Sequence, residues 1–162
     1  MPTLGPRLVE TLEAPPHTRS RIEDIAVDIA AGRIVPYLGP GILDVGPRTS
    51  VPTTPEALAM ALHAKAPVGA ALRGNMWGTA QFIEQRRHRK TLVAYMADIF
   101  KTPAEPGLLH SWLATKQVPL VVDTWYDDTM GQALATRSDW AQVQGLSQSE
   151  HFGTWVGWYT PQ

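Results

Sequence analysis

Two short apolar runs frame this chain, Arg33-Ile34-Val35-Pro36-Tyr37-Leu38 and Val118-Pro119-Leu120-Val121-Val122. Both are rich in β-branched residues and read as buried strands. Pro36 restricts the first to an edge or a bulge, because proline donates no ladder hydrogen bond. Helical periodicity fills the stretch between them. Strands alternating with helices predict an α/β domain with a mostly parallel sheet.

The helical stretches have their own signals. Ser20 and Glu23 fit a capping box, Ile22, Ile25, Ala26, Ile29 and Ala30 follow at helical spacing, and Gly32 stands where a C-terminal cap belongs. This predicts a helix over about residues 20–31. Residues 1–19, with Pro2, Pro6, Pro15 and Pro16, read as an irregular leader, and 20–162 as the domain. Thr53 and Thr54 precede Pro55, which suits a first helical position, and that helix runs to about Ala66. Residues 75–100 carry Met76, Ala80, Ile83, Leu92, Met96 and Ile99 at helical spacing, and a polar interruption from Gln85 to Lys90 leaves either one helix or two. Leu108–Leu113 is a short helix, and Asp128 can cap another that runs through Met130 and Leu134. Trp140–Gly145 and Thr154–Tyr159 read as further strands. Trp77 and Trp112 suit a core.

Composition narrows the function. The 162 residues include no cysteine. That excludes a disulfide scaffold, a thiol nucleophile and a zinc or iron–sulfur site built on the chain's own thiolates. A reducing cytoplasm is the easiest fit. The net charge of −1 gives no pull toward nucleic acid. The one basic run, Arg86-Arg87-His88-Arg89-Lys90, reads as a solvated helix face or a joint between helices. No apolar stretch is long enough to predict a transmembrane helix, and no basic-then-apolar opening predicts a signal peptide. No histidine and carboxylate spacing predicts a metal site.

In open α/β sheets, ligands bind beyond the carboxyl ends of strands. The first run ends in Gly39-Pro40-Gly41. Glycines there let backbone approach a phosphate, although the turn equally serves as a plain connection. The second ends in Asp123-Thr124-Trp125-Tyr126-Asp127-Asp128. These carboxylates and this threonine can hold ribose hydroxyls, activate water or cap the next helix.

Taken in order, these segments resemble the bacterial sirtuin-like family. The likeness rests on Gly32–Gly41, Pro52–Leu58, Ala80–Glu84, Gly107–Ala114 and Pro119–Asp128, and covers about residues 20–135. It implies a Rossmann-like, mostly parallel sheet flanked by helices. It also implies a site for NAD or an ADP-ribose-like nucleotide. In that family a Gly-Ala-Gly turn touches the NAD phosphates; Gly39 and Gly41 match it, and Pro40 replaces the alanine. Ile42 and Leu43 stand where a hydroxyl residue often follows. The second family motif is Thr-Thr-Asn-Tyr-Asp-Asp. Thr124, Tyr126, Asp127 and Asp128 match it, Asp123 replaces a threonine, and Trp125 replaces the asparagine. An indole donates one N–H and accepts nothing, so it cannot orient water as an amide does.

The resemblance assigns the turn Gly39, Pro40 and Gly41 to the phosphates, with Thr124, Trp125 and Asp127 toward the rest of the nucleotide. Active sirtuins use a downstream histidine in a His-Gly context. Here that is His151, separated from Gly153 by Phe152. Asp127 and His151 are therefore the candidate catalytic residues, whereas His110 is expected to be structural. Without cysteine the family's zinc ribbon is absent, which argues against a protein deacylase. Two functions stay open. One is a nucleotide-binding domain that cleaves the nicotinamide–ribose bond. The other is a catalytically inactive interaction or regulatory protein, as in a bacterial defence or nitrogen-fixation gene neighbourhood. About 34 residues follow Asp128, fewer than the resemblance implies. The expectation is a shortened form that dimerises or a piece of a longer protein. The aromatic end around Trp155 and Trp158 is the expected surface for a second copy or a protein partner.

Overall fold

A computed structural model describes residues 16–143. The predicted strand Thr154–Tyr159, the candidate base His151 and the aromatic end lie outside the described residues. The fold is mixed α/β and mostly helical. Among the described residues it has six α-helices and one two-stranded parallel sheet, with 3-10 turns at Pro40–Val45 and Ala70–Leu72.

Helix α1 spans Pro16–Ala30, so it begins before the expected start at Ser20. Ser20 lies inside it, and the predicted capping box does not form: Glu23 pairs with Arg19 one turn back instead. The other end follows expectation. Gly32 adopts a φ of 71° and donates to Ile29, while Arg33 donates to Asp28. This is a Schellman closure, which needs the left-handed conformation that glycine adopts freely. Arg33 also forms an ion pair with the Asp28 carboxylate at 2.6 Å. Of the apolar stripe, Ile29 packs inward, whereas Ile22 and Ile25 stay exposed among the described residues.

Strand β1 is only Tyr37–Leu38, and β2 only Val122–Asp123. They pair in parallel, Tyr37 opposite Val122 and Leu38 opposite Asp123. Both runs are thus much shorter as ladders than as apolar patterns. Proline supplies a reason: Pro36 accepts from Val122 N–H at 2.9 Å but has no N–H to donate, and the ladder starts after it. Residues 140–143 join no sheet among the described residues, against the predicted strand there.

Helix α2 (Pro55–Lys65) begins as predicted. Pro55 opens it, and Thr54 Oγ1 accepts from Ala57 N–H at 3.1 Å. Helices α3 (Met76–Arg87) and α4 (Arg89–Ile99) are divided at the polar interruption. The joint is His88, at φ 68° and ψ 152°. Few residues other than glycine sit there, and such a conformation costs about 1 to 3 kcal/mol. Leu58, Leu62, Ala66, Met76 and Ile83 form the main core between these helices. Lys65 of α2 ties to Asp98 of α4, which also bonds Lys101 at 2.8 Å. The two ammonium groups hold the Asp98 carboxyl down at about 2. Trp77, expected in the core, is 72% exposed, because α3 turns Met76 and Thr79 inward instead.

Helices α5 (Leu108–Ala114) and α6 (Thr129–Leu134) flank the sheet. Leu38, Leu113 and Met130 form a second cluster there, with Trp112 packed against it. Leu43, Val51 and Ala104 form a third, under the loop after β1.

Candidate functional site

Parallel pairing brings the carboxyl ends of β1 and β2 side by side. The glycine turn and the acidic loop, far apart in sequence, therefore leave the sheet as neighbours. Thr124 fastens them together: its N–H and its hydroxyl both donate to the Leu38 carbonyl, at 3.0 and 2.8 Å. The hydroxyl proton is committed, and the oxygen's lone pairs remain to accept from a ligand.

The turn itself is open. Gly39 is extended, at φ −113° and ψ 179°. A Cβ added at Gly39 or at Gly41 would meet nothing within 4 Å. Neither glycine is required by an unusual backbone angle or by crowding inside the chain. Pro40 opens the 3-10 turn, and Ile42 N–H donates back to Gly39 at 3.1 Å.

The acidic loop is folded by its own side chains. Asp123 accepts from the Trp125 N–H at 3.1 Å. Asp127 accepts from the Thr129 N–H at 2.9 Å and so starts α6. The sequence offered Asp127 or Asp128 as that cap; Asp127 takes the role, and Asp128 makes no side-chain cap bond. Its Oδ1 instead folds over Gly131, 2.6 Å from where a Cβ would stand.

Trp125 faces inward. Its indole N–H donates to the Pro52 carbonyl at 2.9 Å, and its ring meets Phe100 edge-on with centroids 6.1 Å apart. Tyr126 stacks obliquely beside it at 5.2 Å and stays largely exposed. Trp125 thus bolts the acidic loop to the loop that follows the glycine turn.

His110 is the residue that sequence reasoning set aside and the fold brings close. It is 1% exposed, and its Nδ1 accepts from the Gly107 N–H at 3.2 Å. That bond assigns the ring proton to Nε2. Burial pushes its pKa down, against the opposite pull of the Asp127 and Asp123 carboxylates. Asp123 is shifted up. The residue as a whole keeps solvent contact, but desolvation of the carboxyl at the strand end is the main cause, helped by Asp127. Gly107 marks how tightly this corner is packed: a Cβ there would lie 2.8 Å from the Gly46 Cα. Only the run Gly107-Leu108-Leu109-His110 at a helix start pointed to this placement in the sequence. At the start of α6, the Thr129 hydroxyl is fully buried and has no hydrogen-bond partner among the described residues.

Among the described residues no group of histidine and carboxylate side chains is arranged to hold a metal ion, and no helix is long and apolar enough to cross a membrane. Compared with protein-family models, curated proteins and solved structures, the chain matches none.

Proposed function

We propose that the chain is a sirtuin-like, Rossmann-type domain that binds NAD or an ADP-ribose-like nucleotide at the joined strand ends. The phosphates would lie on Gly39-Pro40-Gly41, and Thr124 and Asp127 would face the ribose. One observation carries the reading. Two glycines that the chain needs neither for conformation nor for packing stand open beside Thr124. Backbone left bare in this way suits close approach by a phosphate.

The residues fit the phosphate and ribose better than they fit catalysis. Asp127 already accepts the Thr129 N–H, with its second oxygen left for a ligand hydroxyl. Trp125 stands where the resemblance calls for asparagine, and its only donor is engaged by Pro52. This supports the second reading, a nucleotide binder or interaction protein that has lost turnover. If nicotinamide–ribose cleavage persists, Asp127 would position the nucleotide and His151 would act as the base.

Calorimetric titration with NAD and with ADP-ribose, joined to product analysis, tests the proposal. Binding without released nicotinamide is the expected result. Gly41→Val is expected to weaken binding about tenfold or more and leave the melting temperature unchanged, since open space surrounds that position. Released nicotinamide would instead establish turnover. No heat with either ligand, on a chain shown to be folded, would overturn the proposal.

A further inference from the structure

We propose that the hollow between the end of helix α2 and the last turn of helix α3 binds the phosphoryl group of a small phosphomonoester, held by Arg86 and Arg87. The site shares no residue with the glycine turn or the acidic loop and does not rest on the nucleotide reading.

The run Arg86-Arg87-His88-Arg89-Lys90 sets four cationic side chains in five exposed residues of a chain whose net charge is −1. Arg89 and Lys90 even open α4, the end at which a helix favours acids. Arg89 meets Glu84 at 3.2 Å. Arg86 and Arg87 have no ion-pair partner among the described residues. Their charge is left to be met from outside the chain.

The fold sets where these two arginines stand. The Arg86 guanidinium lies over the Phe82 ring one turn back, 5.8 Å from its centre. Arg87 donates to the Tyr95 hydroxyl at 3.2 Å. His88, at φ 68°, turns the chain so that α4 returns along α3 and brings Tyr95 to that place. Each guanidinium carries five N–H donors. Arg87 spends one on Tyr95, and Arg86 makes no hydrogen bond among the described residues. Arginines already held in place lose less freedom when a ligand arrives.

Both arginines line one hollow of about 240 Å³. Pro67 and the half-buried Phe82 are the rest of its accessible wall, with Ala66 and Ile83 buried beneath. No carboxylate stands in that lining. Two cations with no acid between them favour a dianion over a monocarboxylate, and guanidinium forks match phosphoryl oxygens. Size limits the body the phosphoryl group carries. Sites for drug-sized ligands span roughly 300 to 1,000 Å³. This hollow is smaller, so it takes a phosphoryl head with a small body and not a dinucleotide. Pro67 and Phe82 offer that body apolar surface.

The test is an NMR titration of the full chain with phenyl phosphate, inorganic phosphate and benzoate, at about pH 8, where a phosphomonoester is a dianion. Phenyl phosphate is expected to saturate and to shift the Phe82 ring and the Arg86 and Arg87 side-chain signals. Benzoate is expected to bind about tenfold more weakly or worse. Arg86→Gln and Arg87→Gln should each weaken phenyl phosphate about tenfold and leave ADP-ribose titration unchanged. Both positions are exposed, so both variants keep the fold, which an unchanged melting temperature checks. Lys90→Gln removes the same charge from the same run without touching the hollow, and should change affinity by less than about twofold, as screening between exposed charges predicts. Gly41→Val should leave phenyl phosphate binding as it was, which separates this site from the nucleotide site. The proposal is overturned by equal affinity for benzoate, by inorganic phosphate binding more tightly than its ester, or by unchanged binding in both arginine variants. A loss in Lys90→Gln as large as in Arg86→Gln, a loss in Gly41→Val, or no saturable shift would overturn it too.

Discussion

Between α2, α3 and α4, Leu58, Leu62 and Ile83 lose all contact with solvent, and the helices hold each other through apolar area. At the β1–β2 junction, two residues of ladder sit on the smaller Leu38, Leu113 and Met130 cluster and carry a few polar ties: Thr124 to Leu38, Trp125 to Pro52, Asp127 to Thr129. The first region is stabilised by many interchangeable contacts. The second adds a few directional ones to a smaller apolar cluster, and the buried Thr129 hydroxyl that follows Asp127 and Asp128 has no partner among the described residues. The difference separates what holds the chain together from what shapes its ligand-facing surface.

The largest effect is expected in the helical region. Leu62→Ala should destabilise by about 2 to 5 kcal/mol, as for other fully buried leucines, read from denaturant midpoints. A loss well below that would mean the helices do not carry the stability, and the contrast would fail. Next comes the junction. Trp125→Phe keeps a ring but removes the bond to Pro52, and should cost about 1 to 2 kcal/mol. The sharper readout is nucleotide affinity, because the variant frees one loop from the other.

Thr129→Val has the opposite sign. It replaces an unpartnered buried hydroxyl by a methyl of the same shape, and should stabilise by about 1 kcal/mol in thermal melts. Destabilisation would show that the hydroxyl has found a partner, such as a bound water.

The smallest effect is a pH dependence. His110 has a lowered folded pKa, so below the ordinary value of 6.5 the unfolded chain binds more protons there than the folded one. Stability should fall as pH drops through that range. Asp123 runs the other way. Its folded pKa is raised, so its contribution is full below the usual 3.8 and is lost as pH rises through the folded value. His110→Gln keeps an acceptor for the Gly107 N–H and cannot titrate. It should flatten the stability profile between about pH 7 and pH 5. A slope that survives the change would assign it to another group.

Local patterns in the sequence were enough to locate most helices. Thr54 and Pro55 start α2, Gly32 ends α1, and the polar run around His88 divides α3 from α4, because each acts within a few residues of itself. The two strand runs were legible as well, but their length was not. A ladder needs a donor and an acceptor from both strands, and Pro36 removes one. The inward-facing stripe on α1 was legible as a pattern only, since Ile22 and Ile25 stay exposed.

The site shows the same division. The sequence alone determined which residue types end the two strands, and so the chemistry on offer. Only the tertiary structure decided that the ends meet, that Thr124 spends its proton on Leu38, and that Trp125 turns toward Pro52. It also placed His110 in the field of Asp123 and Asp127. Hydrogen bonds across 73 and 86 residues of chain leave no local periodicity to read. Their partners are chosen by how the whole chain packs.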